Sequence, residues 1–307
     1  MSTYTIKDLE HLTGIKAHTL RIWEQRYGVI RPKRTETNIR YYDDNDLKLV
    51  LNISLLKDNG YKISNICKLG LPDLQEEVRK LIDAKMSFPE QIHALTLAML
   101  DLDEDRFEKI ISTNTLQIGF ERTMMNIIYP FFHRIGVLWQ TGTITPAQEH
   151  FMSSLIRQKI IVAVDGQVVS NSNFNEKYML FLPEGEMHEI SILFSYYIIK
   201  SRNNKVVYLG QNVPFDDLEQ VYDIHKPKYL LTVITSSPSK EFGQHYIDRL
   251  AAKFPTPTIL VSGQQVVGQD LKIPENVTVL NKLQDLIQFV GERSQSSSYK
   301  LSASAHA

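Results

Sequence analysis

The spacing of apolar residues changes near residue 173. Before that point apolar positions recur at helical spacing over successive stretches, and after it short apolar runs alternate with helical stretches. The second pattern predicts a parallel sheet with helices on both faces. The sequence therefore predicts a multidomain protein. Its predicted parts are an all-α head over residues 1–70, a linker over 71–87, a four-helix bundle over 88–172, an α/β domain over 173–293 and a disordered tail over 294–307.

The head has the pattern of a helix-turn-helix. A short amphipathic helix ends at Gly14, and a basic second helix over residues 16–26 keeps Leu20 and Trp23 for its inner face. The second helix of such a motif lies in the major groove of DNA. Further predicted elements are an extended wing over 31–34 and 38–42, a helix that is capped by the acidic run 43–46 and extends to about residue 58, and a short helix over 63–68.

Helical spacing continues from residue 71 to residue 172. The predicted linker contains one short amphipathic helix around residues 74–84. Four longer stretches follow, over 89–100, 104–116, 121–138 and 146–168, and they suffice for a four-helix bundle. A bundle by itself indicates little about function.

The last part is predicted to be a flavodoxin-like, Rossmann-type α/β domain. Its strands are expected over 176–183, 205–209, 229–235, 258–262 and 277–280, with helices over 188–200, 216–225, 239–253 and 283–292. Ligands of open α/β sheets bind at the carboxyl edge, which here collects His188 and residues 210–212, 235–237 and 263–264. No Gly-x-Gly-x-x-Gly follows the first strand, so a dinucleotide is not expected.

Composition adds three constraints. The chain has 307 residues, 43% of them hydrophobic and 22% charged, as expected of a soluble globular protein. Its net charge of −1 hides a basic start, because residues 1–42 hold eight Lys and Arg against four acids, which favours local nucleic-acid contact. One cysteine permits no intrachain disulfide, and no long uncharged apolar run appears. We therefore expect a cytoplasmic protein without membrane contact.

His188 is the most reactive feature of the predicted sheet edge. It follows an apolar strand, with Glu186 two residues before it. A neutral imidazole there can ligate a transition metal, and a nearby carboxylate can accept its other N–H and fix the tautomer. The alternative is that His188 only caps the following helix.

The head resembles the winged-helix DNA-binding domain of the MerR family. The resemblance rests on Thr19-Leu20-Arg21-Ile22-Trp23-Glu24-Gln25-Arg26-Tyr27-Gly28, on Pro32-x-Arg34 and on Arg40-Tyr41-Tyr42. It implies binding to a double-stranded DNA operator. The implied DNA contacts are Arg21, Trp23, Arg26, Tyr27, Arg34, Arg40 and Tyr41. The alternatives are a solvated face for the arginines and core positions for Trp23 and Tyr41.

The α/β domain resembles the cobalamin-binding fold. Glu186-x-His188-x-x-Ser191 is similar to the motif Asp-x-His-x-x-Gly of that fold, whose histidine is the lower ligand of cobalt. Thr232-x-Ile234 and Gly263-Gln264 correspond to its Ser-x-Leu and Gly-Gly motifs. The resemblance implies a site for adenosylcobalamin or methylcobalamin, with His188 as the metal ligand. Ser191 and Gln264 depart from the pattern by placing side chains where the family has glycine.

The bundle resembles the helical cap of cobalamin-dependent photoreceptors of the MerR type. Trp139 and, after nine intervening residues, Glu149-His150 match a Trp-x9-Glu-His signature, which implies contact with the upper face of the corrin. Core packing is the alternative for Trp139, and a surface pair is the alternative for the other two. Gln140 departs from the pattern, because the photoreceptors have a histidine there that takes the upper cobalt position after illumination.

Together the resemblances imply a transcription regulator and not an enzyme. The expected protein is a repressor that self-associates as a dimer or tetramer and whose operator binding is controlled by a cobalamin sensor. A response to light through adenosylcobalamin is one form of this expectation. The alternative is a MerR-type regulator with a degenerate cobalamin fold, controlled by a protein partner or another ligand.

Overall fold

The computed structural model describes residues 4–34, 38, 40–83, 88–140, 144–170, 175–236 and 240–292. The predicted tail over 294–307 lies outside this part of the chain. Two compact units divide the chain, residues 1–154 and 155–307. None of the described helices has the length and apolar content needed to cross a membrane.

The head forms the predicted helix-turn-helix and wing. Its elements are α1 (Ile6–Thr13), α2 (Ala17–Tyr27), β1 (Lys33–Arg34), β2 (Arg40–Tyr41), α3 (Asp44–Asp58) and α4 (Ile63–Ile66), with β1 and β2 antiparallel. Thr5 and Asp8 form a capping box at the start of α1, and Gly14 ends that helix with a left-handed φ of 71°. Asp43 and Asp46 form a second capping box, which confirms the predicted acidic cap of α3.

The segment after residue 70 packs as part of the head. We expected a linker over 71–87 with one short helix around residues 74–84, and the structure has a helix here, α5 (Leu71–Asp83), which begins at residue 71. Leu74 and Val78 are buried in the same cluster as Leu9 and Leu20 of the helix-turn-helix. Burial of two apolar side chains of α5 ties this helix to the head, which a flexible linker would not do.

Four helical stretches follow, as predicted. They are α6 (Pro89–Asp101), α7 (Glu104–Ile118), a composite stretch and α10 (Pro146–Asp165). The composite stretch consists of α8 (Phe120–Thr123), a π-helical turn (Met124–Ile128) and α9 (Tyr129–Gln140). Val137 of α9 lies in the core of the head, so this end of α9 is held against the helix-turn-helix.

The α/β unit is a five-stranded parallel sheet with flavodoxin-like strand order, as predicted. Its strands are β3 (Lys177–Pro183), β4 (Lys205–Val213), β5 (Tyr229–Val233), β6 (Thr258–Ser262) and β7 (Val277–Val279), in the order β4-β3-β5-β6-β7. The connecting helices are α11 (Ile190–Ser201), α12 (Asp217–His225), α13 (Lys240–Lys253) and α14, residues 283–292. Strand order reverses beside β3, the position at which this type of sheet binds ligands.

Aromatic contacts show which helix covers which face. Tyr196 of α11 stacks on Tyr208 of β4 at 5.1 Å between ring centres, and Tyr208 pairs with Leu180 of β3. On the other face, Phe181 belongs to a buried cluster with Leu218 of α12 and residues of α13. Because successive strand residues point to opposite faces, α11 lies on the Leu180 face and α12 and α13 lie on the Phe181 face.

Candidate functional site

The loop between β3 and α11 places an imidazole at the carboxyl edge of the sheet. Glu186 Oε1 lies 2.7 Å from His188 Nδ1 and also accepts a hydrogen bond from the His188 backbone N–H at 3.0 Å. The Glu186 side chain is 2% exposed, whereas the His188 side chain is 64% exposed. The loop therefore buries the carboxylate and presents the imidazole at the surface.

The end of β5 holds the Glu186 carboxylate from the other side. Oε2 accepts hydrogen bonds from the backbone N–H groups of Thr235 at 2.8 Å and Ser236 at 2.6 Å, and Oε1 accepts from Ser236 Oγ at 3.0 Å. Burial alone would raise the pKa of Glu186, but the hydrogen bonds from His188, Ser236 and Thr235 outweigh it and lower the pKa to about 2. The carboxylate is thus ionised, and Nδ1 of His188 donates to it. Metal ligation by this histidine would use Nε2.

The end of β4 fastens the same loop. Asn212 Oδ1 accepts from the Gly185 backbone N–H at 2.8 Å, and the Asn212 N–H donates to the Glu186 carbonyl at 3.2 Å. Both neighbouring strands therefore hold the loop. The helix-cap alternative for His188 is wrong, because the N-cap of α11 is Glu189 and no side chain caps that helix.

The predicted nucleotide-tail residues do not share one face of the sheet. Thr232 pairs with Phe181 and lies with Ile234 on the α12 and α13 face, whereas Ser191 is in the first turn of α11 on the opposite face. The Thr232 hydroxyl is buried without a hydrogen-bond partner. At the adjacent position the α11 face carries Val233, whose side chain has no hydroxyl. A shift of one residue along a strand reverses the face on which a side chain lies.

Gly263 is required by the backbone of the neighbouring strand end. Its φ is +105°, and an added Cβ would lie 2.3 Å from the Ile234 carbonyl oxygen. Contact with the polypeptide itself therefore accounts for this glycine. The side chain of Gln264, which follows, is exposed.

The predicted upper-face residues are on the surface of the first unit. Trp139 is 37% exposed, and the Lys48 Nζ of α3 lies 5.3 Å from its ring centre. Glu149 Oε2 lies 3.0 Å from Nδ1 of His150, and both side chains are accessible to solvent. The alternative for Trp139 was a position in the core, and its exposure contradicts that alternative. The side chain of Gln140 lies outside the described part of the chain.

The head exposes all four of the arginines that were predicted to contact nucleic acid. Arg21 and Arg26 are exposed on α2, and Arg34 and Arg40 are exposed on the wing. Arg40 is 3.9 Å from a carboxylate oxygen of Glu24, which links the wing to α2. Such guanidinium groups suit phosphate oxygens and base edges.

The predicted aromatic contacts of the head divide into two kinds. Tyr27 and Tyr41 are half-buried, and the Arg26 guanidinium carbon lies 5.5 Å from the Tyr27 ring centre. Trp23 is 4% exposed and belongs to the core of the head. Trp23 therefore has the packed position that the alternative interpretation gave it.

Three residues that hold the loop were not among the predicted site residues. They are Asn212, Thr235 and Ser236. All three lie in the segments 210–212 and 235–237, which the sequence pattern places at the carboxyl edge. Their position after the two strands that flank β3 is the signal that would have identified them.

Comparison with known proteins agrees with this architecture. Residues 4–69 match the MerR HTH family regulatory protein model, and residues 91–163 match the B12 binding domain model. The HTH-type transcriptional repressors CarH and CarA of Myxococcus xanthus are each 26% identical to the chain, over 260 and 264 residues respectively. These alignments cover 82% and 84% of this chain and 86% of each repressor.

A solved structure supports the fold of the sensor region. The monomethylamine corrinoid protein of Methanosarcina barkeri is 14% identical, with a TM-score of 0.51, and the match covers 67% of this chain and 99% of that one. At this identity the likeness concerns the fold alone. The relatives CarH and CarA are transcription regulators and not enzymes, as the sequence predicts for this chain. The chain thus combines a MerR-type HTH region with a B12 binding domain and is homologous to the repressors CarH and CarA.

Proposed function

We propose that this protein is a transcriptional repressor whose binding to a DNA operator is controlled by cobalamin held through His188. The observation that carries the proposal is the buried, ionised Glu186 that orients the exposed imidazole of His188. A carboxylate in this position fixes the tautomer and the ring orientation of a metal-ligating histidine. The same chain carries a basic helix-turn-helix, which gives the sensor a DNA-binding output.

The donor chemistry of the loop fits a corrin-bound cobalt. His188 would supply the lower ligand through Nε2, and Glu186 would hold the ring from Nδ1. Ser191 and Gly263 would lie beside the nucleotide portion, and Trp139, Glu149 and His150 would contact the upper side. When bound, adenosylcobalamin or methylcobalamin supplies a cobalt centre with a light-sensitive upper bond. Thr232 and Ile234 drop out of this set because they face α12 and α13.

DNA binding is assigned to the exposed cations of α2 and the wing. Arg21 and Arg26 would enter the major groove with α2, and Arg34 and Arg40 would contact phosphates from the wing. One small head binds weakly, so self-association as a dimer or tetramer would raise affinity through avidity. Occupancy of the sensor would control that association, and hence repression.

Retention of the cofactor tests the proposal directly. The full chain is incubated with adenosylcobalamin in the dark, passed through gel filtration and examined by visible absorption. Co-elution of colour is expected for the wild type, and loss of the histidine-ligated spectrum is expected for His188→Ala. His245→Ala is the matched control, because His245 is also exposed in the α/β unit but lies on α13. A colourless wild-type protein would reject the cobalamin sensor.

One observation favours the alternative regulator. On the α11 face of β5, Val233 occupies the place where a hydroxyl would serve the nucleotide tail, and Ser191 replaces a glycine. A sensor that no longer accepts cobalamin would then be switched by a protein partner. In that case operator binding is retained without colour, and adenosylcobalamin leaves the electrophoretic mobility shift unchanged in darkness and in green light.

A further inference from the structure

One apolar side chain lies on the outward face of the DNA-binding helix. The side chains of α2 are described along its whole length, and five residues of the helix are exposed: His18, Arg21, Ile22, Gln25 and Arg26. Four of these are cationic or polar, and the fifth, Ile22, is 50% exposed. The residues that anchor the inner face, Leu20 and Trp23, are buried.

Helix geometry puts Ile22 in the middle of this outward face. His18 and Arg26 are one turn before and one turn after it, and Gln25, three residues after it, is also its neighbour on the helix surface. Scattered exposed apolar residues are common on protein surfaces and carry no meaning singly. Here Ile22 is surrounded on its own helix by side chains that are suited to contact nucleic acid. We therefore expect Ile22 to contact the same DNA.

The floor of the major groove offers one apolar group to such a side chain. Each base pair presents hydrogen-bond donors and acceptors there, and only thymine adds a methyl group, at C5. We infer that Ile22 contacts a thymine methyl group in the operator and thereby helps to set which sequence is bound. This inference rests on the proposed function, in which α2 lies in the major groove.

The expected contribution follows from the size of the buried group. Burial of one methyl-sized group corresponds to roughly a fourfold change in affinity. Loss of the phosphate contacts of Arg34 or Arg40 would instead weaken binding to all sequences alike. Ile22 should therefore affect discrimination at one base position in each half-site.

The test removes the apolar contact in two ways, by a change in the DNA and by a change in the protein. An operator is first selected from random duplexes with the full chain, and each thymine is then replaced by deoxyuridine, which lacks the C5 methyl but keeps the same hydrogen-bonding groups. At one position per half-site the wild type should lose about fourfold in affinity. Ile22→Ala should show a similar loss on the unmodified operator and no further loss on the deoxyuridine operator, whereas Ile22→Val should keep most of the discrimination.

Ile224→Ala is the matched control, because Ile224 is an exposed isoleucine on α12 of the other unit. It should behave as the wild type on both operators. The inference is overturned if deoxyuridine lowers the affinity of Ile22→Ala as much as that of the wild type at every position, or lowers neither affinity. The proposed function is not affected by either result. If the full chain binds no duplex, the proposed function and this inference both fail.

Discussion

The two sets of residues proposed to contact the cofactor, one in each unit, differ in how firmly the protein holds them. In the β3–α11 loop, the Glu186 carboxylate accepts five hydrogen bonds, from His188 N and Nδ1, Thr235 N, and Ser236 N and Oγ. At the surface of the helical unit, Glu149 and His150 pair with one another in contact with solvent, and Trp139 has one face under the Lys48 amine. The first arrangement is fixed by three chain segments, and the second depends on exposed side chains.

This difference assigns different tasks to the two sets of residues. A group held in its binding geometry loses little conformational entropy on binding, so the His188 loop should provide affinity and position. Exposed side chains must be ordered when a ligand arrives, and their ordering depends on what the ligand presents. The Trp139 set should therefore respond to the upper axial group more than it contributes to retention.

The largest expected difference is between the effects of Glu186→Ala and Glu149→Ala on the free energy of unfolding. Glu186→Ala leaves the backbone N–H groups of Thr235 and Ser236 without their acceptor, which we expect to cost about 3 kcal/mol or more in unfolding free energy. Glu149→Ala alters an exposed pair and should change the stability by less than about 0.5 kcal/mol. Urea unfolding followed by circular dichroism measures both. Equal effects would contradict the contrast between a fixed loop and a flexible surface.

The loss of folding stability at acidic pH provides a second test of the hydrogen-bonded loop. The pKa of Glu186 is lowered from 4.5 to about 2, so its contribution to folding is fully present above about pH 4.5 and is lost as pH falls towards 2. The shift corresponds to about 3 kcal/mol at most. Glu186→Gln should flatten the fall in stability between pH 5 and pH 2, although it lowers stability at neutral pH. An unchanged slope in that variant would show that other carboxylates cause this loss.

The positions of most helices and strands could be predicted because they depend on the spacing of apolar residues that are close in sequence. The strand over 258–262 was predicted to the residue, and the capped start of α3 at Asp43 followed from the acidic run. Tertiary packing was less accessible. The helix Leu71–Asp83 was expected to be part of a linker, because its amphipathic spacing does not say which surface its apolar side would cover.

The candidate site was predicted only where it is local in sequence. Glu186 and His188 are two residues apart, so their pairing followed from the motif itself. Thr232 was chosen because its hydroxyl matched a family pattern, but the face on which a strand residue lies depends on sheet register, which the motif does not give. Ser236 contacts Glu186 across 50 residues of chain, and no spacing rule within one segment predicts such a contact.

Ser236→Ala tests how many of the five hydrogen bonds the loop needs. The variant removes the Oγ donor but leaves both backbone donors to Oε2, so the expected loss of stability is about 1 kcal/mol. Cobalamin retention should weaken by less than it does in Glu186→Ala. Ser262→Ala is the control, because its Oγ donates to the Leu280 carbonyl at another strand end. A loss as large as that of Glu186→Ala would mean that the hydroxyl alone orients the carboxylate.

Lys48→Met should have the smallest effect and tests the flexible side of the comparison. Methionine keeps most of the apolar stem of Lys48 over the Trp139 ring but removes the charge, so only the cation–π contact is lost. At this exposed site the contact is worth about 0.5 kcal/mol, or roughly twofold in an equilibrium constant. Lys48→Arg keeps the cation and serves as the control. Gel filtration with adenosylcobalamin in the dark should show near wild-type retention for both variants. If Lys48→Met instead released the cofactor as completely as His188→Ala, the upper side would be as firmly preorganised as the lower one, and the division of tasks between the two would be wrong.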